Sequence, residues 1–122
     1  MKANSEIGML APQVHLFHSR KRCKRFLKKH FAGKCKLFDA EGQMIYDSGV
    51  AVILMEHTGQ PETELSLLVH EGYHAAVAHM EWLGEDEAGE ETMAYLIQTI
   101  TNGLFVAHFK WKHDKGLVLS NA

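Results

Sequence analysis

Six consecutive residues, Val50 to Met55 (VAVILM), constrain the fold more than any other stretch of this chain. A strand with one wet face alternates apolar and polar residues. This run does not alternate, and its β-branched content and length predict a strand buried on both faces. Covering both sides of such a strand takes a substantial core. The chain has 122 residues, 46% of them hydrophobic, with two prolines and ten glycines, the profile of one soluble globular domain over 1–122. At that length roughly two-thirds of the unfolded chain's surface can be buried without disulfide staples. Collagen, long coiled coil and wholesale disorder are excluded by the low proline content, the short periodic segments and the abundance of Leu, Val, Ile and Phe. No apolar run approaches the roughly 18 residues of a membrane-spanning helix, and the opening MKANSEIGMLAPQ lacks an apolar stretch of signal-peptide type. The expectation is a cytoplasmic protein with no membrane association. Cys23 and Cys35 are too few for a disulfide framework and read as free thiols.

Residues 1–12 carry no periodicity and read as a flexible tail, with Val14 to Phe17 as a short strand guarded by Pro12. From Ser19, a predicted N-cap, Cys23, Phe26, Leu27 and Phe31 recur at helical spacing, and the helix ends near Gly33. Lys34 to Phe38 and Gln43 to Tyr46 flank the turn signal Asp39-Ala40-Glu41-Gly42 and are predicted to form a hairpin. Asp47-Ser48-Gly49 turns the chain again. A second helix starts at Pro61, with Glu62 and Glu64 in its first turn and an apolar stripe of Leu65, Leu68, Val69, Gly72, Ala76, Met80 and Leu83. Residues 84–89 break it, and a third helix runs from about Glu90 to Leu104. The segment from Phe105 onward has no clear pattern. Gly72 costs a helix about 1 kcal/mol relative to Ala, which is compatible with a close packing contact and equally with neutral drift.

The chain holds nine histidines. Three chemically apt residues, His70, Glu71 and His74, stand within the second helix as His70-Glu71-Gly72-Tyr73-His74, an HExxH pattern. Residues four apart project from one helix face, so two imidazoles can bind one Zn²⁺ at about 2.0–2.1 Å while the glutamate addresses water rather than metal. This composition would produce the pattern by chance ~0.06 times per chain. A catalytic zinc takes three protein ligands. A histidine six residues past His74 would define one class, but position 80 is Met and Val77 occupies the glycine position, so that class is rejected. His79 lies about 140° round the helix from His74 and cannot easily join the same ion. The third helix offers Glu90 and Glu91, of which Glu91 is preferred because it shares a face with Tyr95 and Gln98.

HEGYH followed 17 residues later by Glu91, in Glu91-Thr92-Met93-Ala94-Tyr95-Leu96, resembles the gluzincin arrangement of zinc metallopeptidases. It is most similar to short phage- and prophage-encoded metallopeptidases. The likeness covers roughly Val14 to Leu104, although only His70 to Leu96 carries specific motifs. It implies a minimal zincin-like α+β fold: an N-terminal helix, a small sheet of three or four strands, the HExxH helix and a glutamate helix. It also implies zinc held by His70, His74 and Glu91, with Glu71 as general base. In larger gluzincins the residue four after the glutamate is often small or acidic; here it is Tyr95, so support for the ligands must come from elsewhere.

The implied chemistry is hydrolysis of a peptide or protein substrate, in which Glu71 takes a proton from a metal-activated water that attacks a carbonyl. Tyr95, Tyr73 and His108 are candidate donors to the resulting oxyanion, against the blander reading of a packed Tyr or a surface His. An edge strand from the Lys34 to Met55 region could pair with an extended substrate. Two further readings compete: a zincin-fold protein with a structural or partner-binding role and no turnover, and a small nucleic-acid-binding regulatory factor. Glu71 favours turnover, since a purely structural site needs no base. Seven of the thirteen Lys and Arg residues lie between Arg20 and Lys29, whereas ten of the fifteen acids lie between Glu56 and Glu91. The net charge of −2 and the lack of interleaved aromatics weigh for a solvated helix face and against nucleic acid.

Overall fold

The structure is a computed structural model that describes residues 11–32, 36–56, 58–84 and 89–116. Its elements are β1 (Gln13–Phe17), α1 (Arg20–His30), β2 (Gly42–Asp47), β3 (Val50–Met55), α2 (Pro61–Trp82) and α3 (Glu90–Asp114). The class is α+β with a small mixed sheet in the order β1-β3-β2. β3 is the central strand, parallel to β1 with Leu16 beside Ile53, and antiparallel to β2 with Ile45 beside Val52.

The apolar run reads as expected. Ala51, Ile53 and Met55 enter the core beneath α2 and α3, while Val52 and Leu54 face Cys23, Leu27 and Phe31 of α1 and its cap. The period of two thus sends one strand's side chains into two separate cores, one on each face. Ser19 caps α1, its Oγ accepting from the Arg22 N–H at 3.2 Å. Cys23 is a free, fully buried thiol whose pKa burial raises to about 11. Cys35 and most of the tail expected over 1–12 lie outside the described residues, whereas Pro12 is buried and Ala11 packs against the core.

Among the described residues the expected hairpin between Lys34 to Phe38 and Gln43 to Tyr46 does not form, and Lys34 and Cys35 lie outside them. Residues 36–38 are not in a strand, Phe38 is exposed, and the Gln43 side chain instead bridges this loop, accepting from the Phe38 N–H and donating to the Lys36 carbonyl. β2 pairs with β3 across Ser48-Gly49, whose φ angles of 47° and 88° suit a two-residue hairpin turn with positive φ at both central positions. The physical reason is payload: β3 presents six apolar residues to pair against, and the 36–38 segment only two.

Pro61 starts α2, as expected. Its buried side is rotated from the predicted stripe. Val69 and Leu83 are exposed, whereas Glu64, Glu71, Ala75 and His79 are buried with Leu68, Gly72, Ala76 and Met80. α3 continues through the segment that carried no clear pattern and ends at Asp114. The two helices run antiparallel: Gly72 abuts Leu104, Thr101 and Ile100, where a Cβ would stand 3.3 Å from the Leu104 methyl, and Glu64 meets His108 and Lys112. Of the two readings of Gly72, the close packing contact is the one observed.

Glu64 is fully buried. Its Oε2 accepts from the backbone N–H groups of Thr58 and Gly59 at 3.0 and 3.1 Å, and its Oε1 lies 3.3 Å from both His108 Nε2 and Lys112 Nζ. With its Nε2 proton given to Glu64, His108 accepts at Nδ1 from His18 Nε2 at 2.9 Å, and His18 stacks on Trp111 at 3.9 Å. Glu64→Ala should cost about 3–5 kcal/mol, because it strands a buried Lys112 charge and two backbone donors. Chemical denaturation of the two proteins measures the difference.

Candidate functional site

His70 and His74 lie on exposed positions of α2, and their Nε2 atoms converge to 3.2 Å with the rings nearly perpendicular, 81° apart. Two nitrogens on a tetrahedral zinc at about 2.0–2.1 Å stand roughly 3.3 Å apart. The separation fits two corners of such a site, and the Nδ1–H tautomers would leave both Nε2 lone pairs available.

Glu71 is 7% exposed and lines a groove of about 560 Å³ that it shares with His70, Glu41, Gly42, Glu62 and Leu67. It makes no hydrogen bond or ion pair with any described residue. A Cβ on Gly42 would lie 3.3 Å from Glu71 Oε2, so the glycine at the start of β2 lets the strand approach the carboxylate closely. Burial raises the Glu71 pKa above the usual carboxylate range, and His70 and His74 act in the opposite sense. β2 is an edge strand: one side pairs with β3, and its outer side pairs with no other strand among the described residues. α2 lies across it.

The glutamate of the third helix sits elsewhere. Gly72, which carries the contact with α3, is about 200° round the helix from His70, so α3 packs on the side away from the histidines. Glu91 is exposed in the first turn of α3, nine residues before Ile100, or about 14 Å along the axis from the crossing. Among the described residues no three His, Cys, Asp or Glu side chains form a group able to hold a metal ion.

The three candidate oxyanion donors are likewise dispersed. Tyr95 is exposed on α3, and Tyr73 is exposed with its ring centroid 6.1 Å from that of His74. His108 is buried and bonded to Glu64 and His18, a packing role. His79 is also buried; the Tyr46 hydroxyl, which accepts from the Gly49 N–H, donates to its Nδ1 at 2.6 Å. Burial raises the Tyr46 pKa. Neither of these polar pairings could be read from sequence, because their members are 33 to 90 residues apart. Gly42 was the one local signal of the approach to Glu71.

No family model matches the chain, and no curated protein or solved structure matches it either.

An acid whose pKa is raised by folding binds more protons in the native state than in the unfolded chain. Its contribution therefore lowers stability as pH rises from the unfolded pKa through the folded one. Glu71→Gln should accordingly raise the melting temperature at pH 7, with the gain shrinking as pH falls towards about 4. Thermal melts of both proteins across that range provide the comparison, and a variant less stable at pH 7 would contradict it.

Proposed function

We propose that this protein is a zinc-dependent hydrolase acting on peptide or protein chains. The observation that carries the reading is the pairing of two converging imidazoles with a buried glutamate that no described residue pairs with and that opens to the groove. His70 Nε2 and His74 Nε2 would supply two of the three protein ligands that a catalytic zinc takes, and among the described residues no third stands with them. When bound, zinc supplies Lewis-acid polarisation of a carbonyl and acidifies water.

The chain's own residues do the rest. Glu71 accepts a proton at its carboxylate from water in the groove, and its raised pKa places it closer to the neutral range in which a general base works best. The outer edge of β2 orients an extended chain past Glu71 by main-chain hydrogen bonding, with Gly42 keeping that approach open. The HExxH spacing of His70, Glu71 and His74 supports the same reading from sequence.

Wild-type protein should take up about one equivalent of zinc, and His70→Ala or His74→Ala should abolish uptake in elemental analysis. Glu71→Gln should retain the ion yet lose at least about 100-fold in cleavage of an unstructured peptide library. Full zinc loading without cleavage by the wild type would favour the partner-binding reading instead.

The placement of α3 gives a separate expectation for Glu91. Glu91→Ala should leave zinc affinity within about threefold of wild type, since removing even a group that only supports a ligand costs about 10–100-fold. A loss beyond about 100-fold in competition with a chromophoric chelator would show that metal loading draws the first turn of α3 to the histidines.

A further inference from the structure

The outward side of α1 holds six exposed cations, Lys21, Arg22, Lys24, Arg25, Lys28 and Lys29. At 100° per residue they fan over about 160° of the helix surface, opposite Cys23 and Leu27. The helix contains no acid, and none of the six pairs with a described residue; its remaining arginine, Arg20, is bridged to Glu56 at 3.0 Å. Lys21 and Arg25, Arg25 and Lys29, and Lys24 and Lys28 are like charges four apart, an arrangement that destabilises an isolated helix by about 0.2–0.5 kcal/mol per pair. A chain of net charge −2 thus gathers onto one helix positive charge that no described acid pairs with.

We infer that this face of α1 is a binding surface for the backbone of duplex nucleic acid. Its 11 residues extend over about 16 Å, against which a duplex presents a charge every ~1.7 Å of axis. The net charge of −2 and the lack of interleaved aromatics, which weigh against nucleic acid in the sequence, do not bear on this face of the fold. The net negative charge comes from acids on other segments, and recognition of a duplex backbone needs no stacking aromatics. A membrane surface fits less well, because an amphipathic helix binds lipid by inserting its apolar side. Here that side is sealed, with Cys23, Leu27 and Phe31 at most 5% exposed. Contact through the backbone carries no sequence preference.

The experiment is fluorescence anisotropy with the full chain and a labelled mixed-sequence 20-base-pair DNA duplex, across a salt series. With about four phosphates engaged, the slope of log K against log salt should be near −3.6, a loss of roughly 100-fold between about 50 and 200 mM. Lys21→Gln/Arg25→Gln/Lys28→Gln should weaken binding at least about tenfold and flatten the slope, whereas Lys21→Arg/Lys24→Arg/Lys28→Arg should bind as wild type does. Lys115→Gln, which neutralises an exposed cation just after α3, should have little effect. Should the triple glutamine variant lose its far-UV circular dichroism, Arg22→Gln/Lys29→Gln carries the same test. The inference is overturned by absence of duplex binding at about 50 mM salt, by binding indifferent to the α1 substitutions, or by tighter binding to phosphatidylserine vesicles than to DNA. Zinc loading and peptide cleavage play no part in these readouts.

Discussion

A carboxylate without access to solvent joins the two ends of the helical layer. Glu64 stands in the first turn of α2, where an acid complements the helix dipole at the surface, yet here it is fully buried. An ionised carboxylate in that position is tolerable only with its oxygens satisfied. Two backbone N–H groups from the entry loop and the side chains of His108 and Lys112 do this. Because the donors come from both ends of the 58–116 segment, the same bonds set the antiparallel register of α2 and α3. His108 extends the network to His18, just beyond β1, and so fastens the helical layer to the far strand of the sheet.

That register determines what α2 shows to solvent. With Gly72 against Ile100, Thr101 and Leu104, the histidines turn away from α3, and the neighbouring Glu71 drops towards β2. The groove carboxylate is consequently an environment-made group. Burial raises its pKa, the absence of a side chain at Gly42 leaves it room, and no described residue satisfies its oxygens. A second tie, from the Tyr46 hydroxyl to His79, holds the β2–β3 turn beneath the end of α2, with Trp82 packed on Gly49. β2 is thereby tied to α2 at its Tyr46 end.

The two sides of the sheet differ in charge as well as in packing. α1 buries a narrow apolar strip and turns its cations outward, while the groove beside α2 carries Glu41, Glu62 and Glu71. Because β3 lies buried between them, the two surfaces are built on opposite faces of one strand, where the period of two separates their cores.

Local patterns were legible where local physics decides them: the doubly buried β3 from its unbroken apolar run, the Ser19 cap of α1, the Pro61 start of α2 and the four-residue spacing that pairs His70 with His74. The partner of β2 is not legible at 34–46 because alternation alone does not choose a partner, and β3 buries more with β2 than the 36–38 segment can. The buried side of α2 departs from its apolar stripe because Glu64, Glu71 and His79, polar by type, are buried with the help of residues far away in sequence. Spacing along the chain likewise linked Glu91 to the histidines, whereas the packing of α3 on Gly72 places it far along the helix from them. Sequence by itself determined which residues could share a helix face or a strand, since those periods are properties of the backbone. Tertiary structure alone decided which polar groups were buried and which helix faces met, because those outcomes depend on contacts between segments up to 90 residues apart.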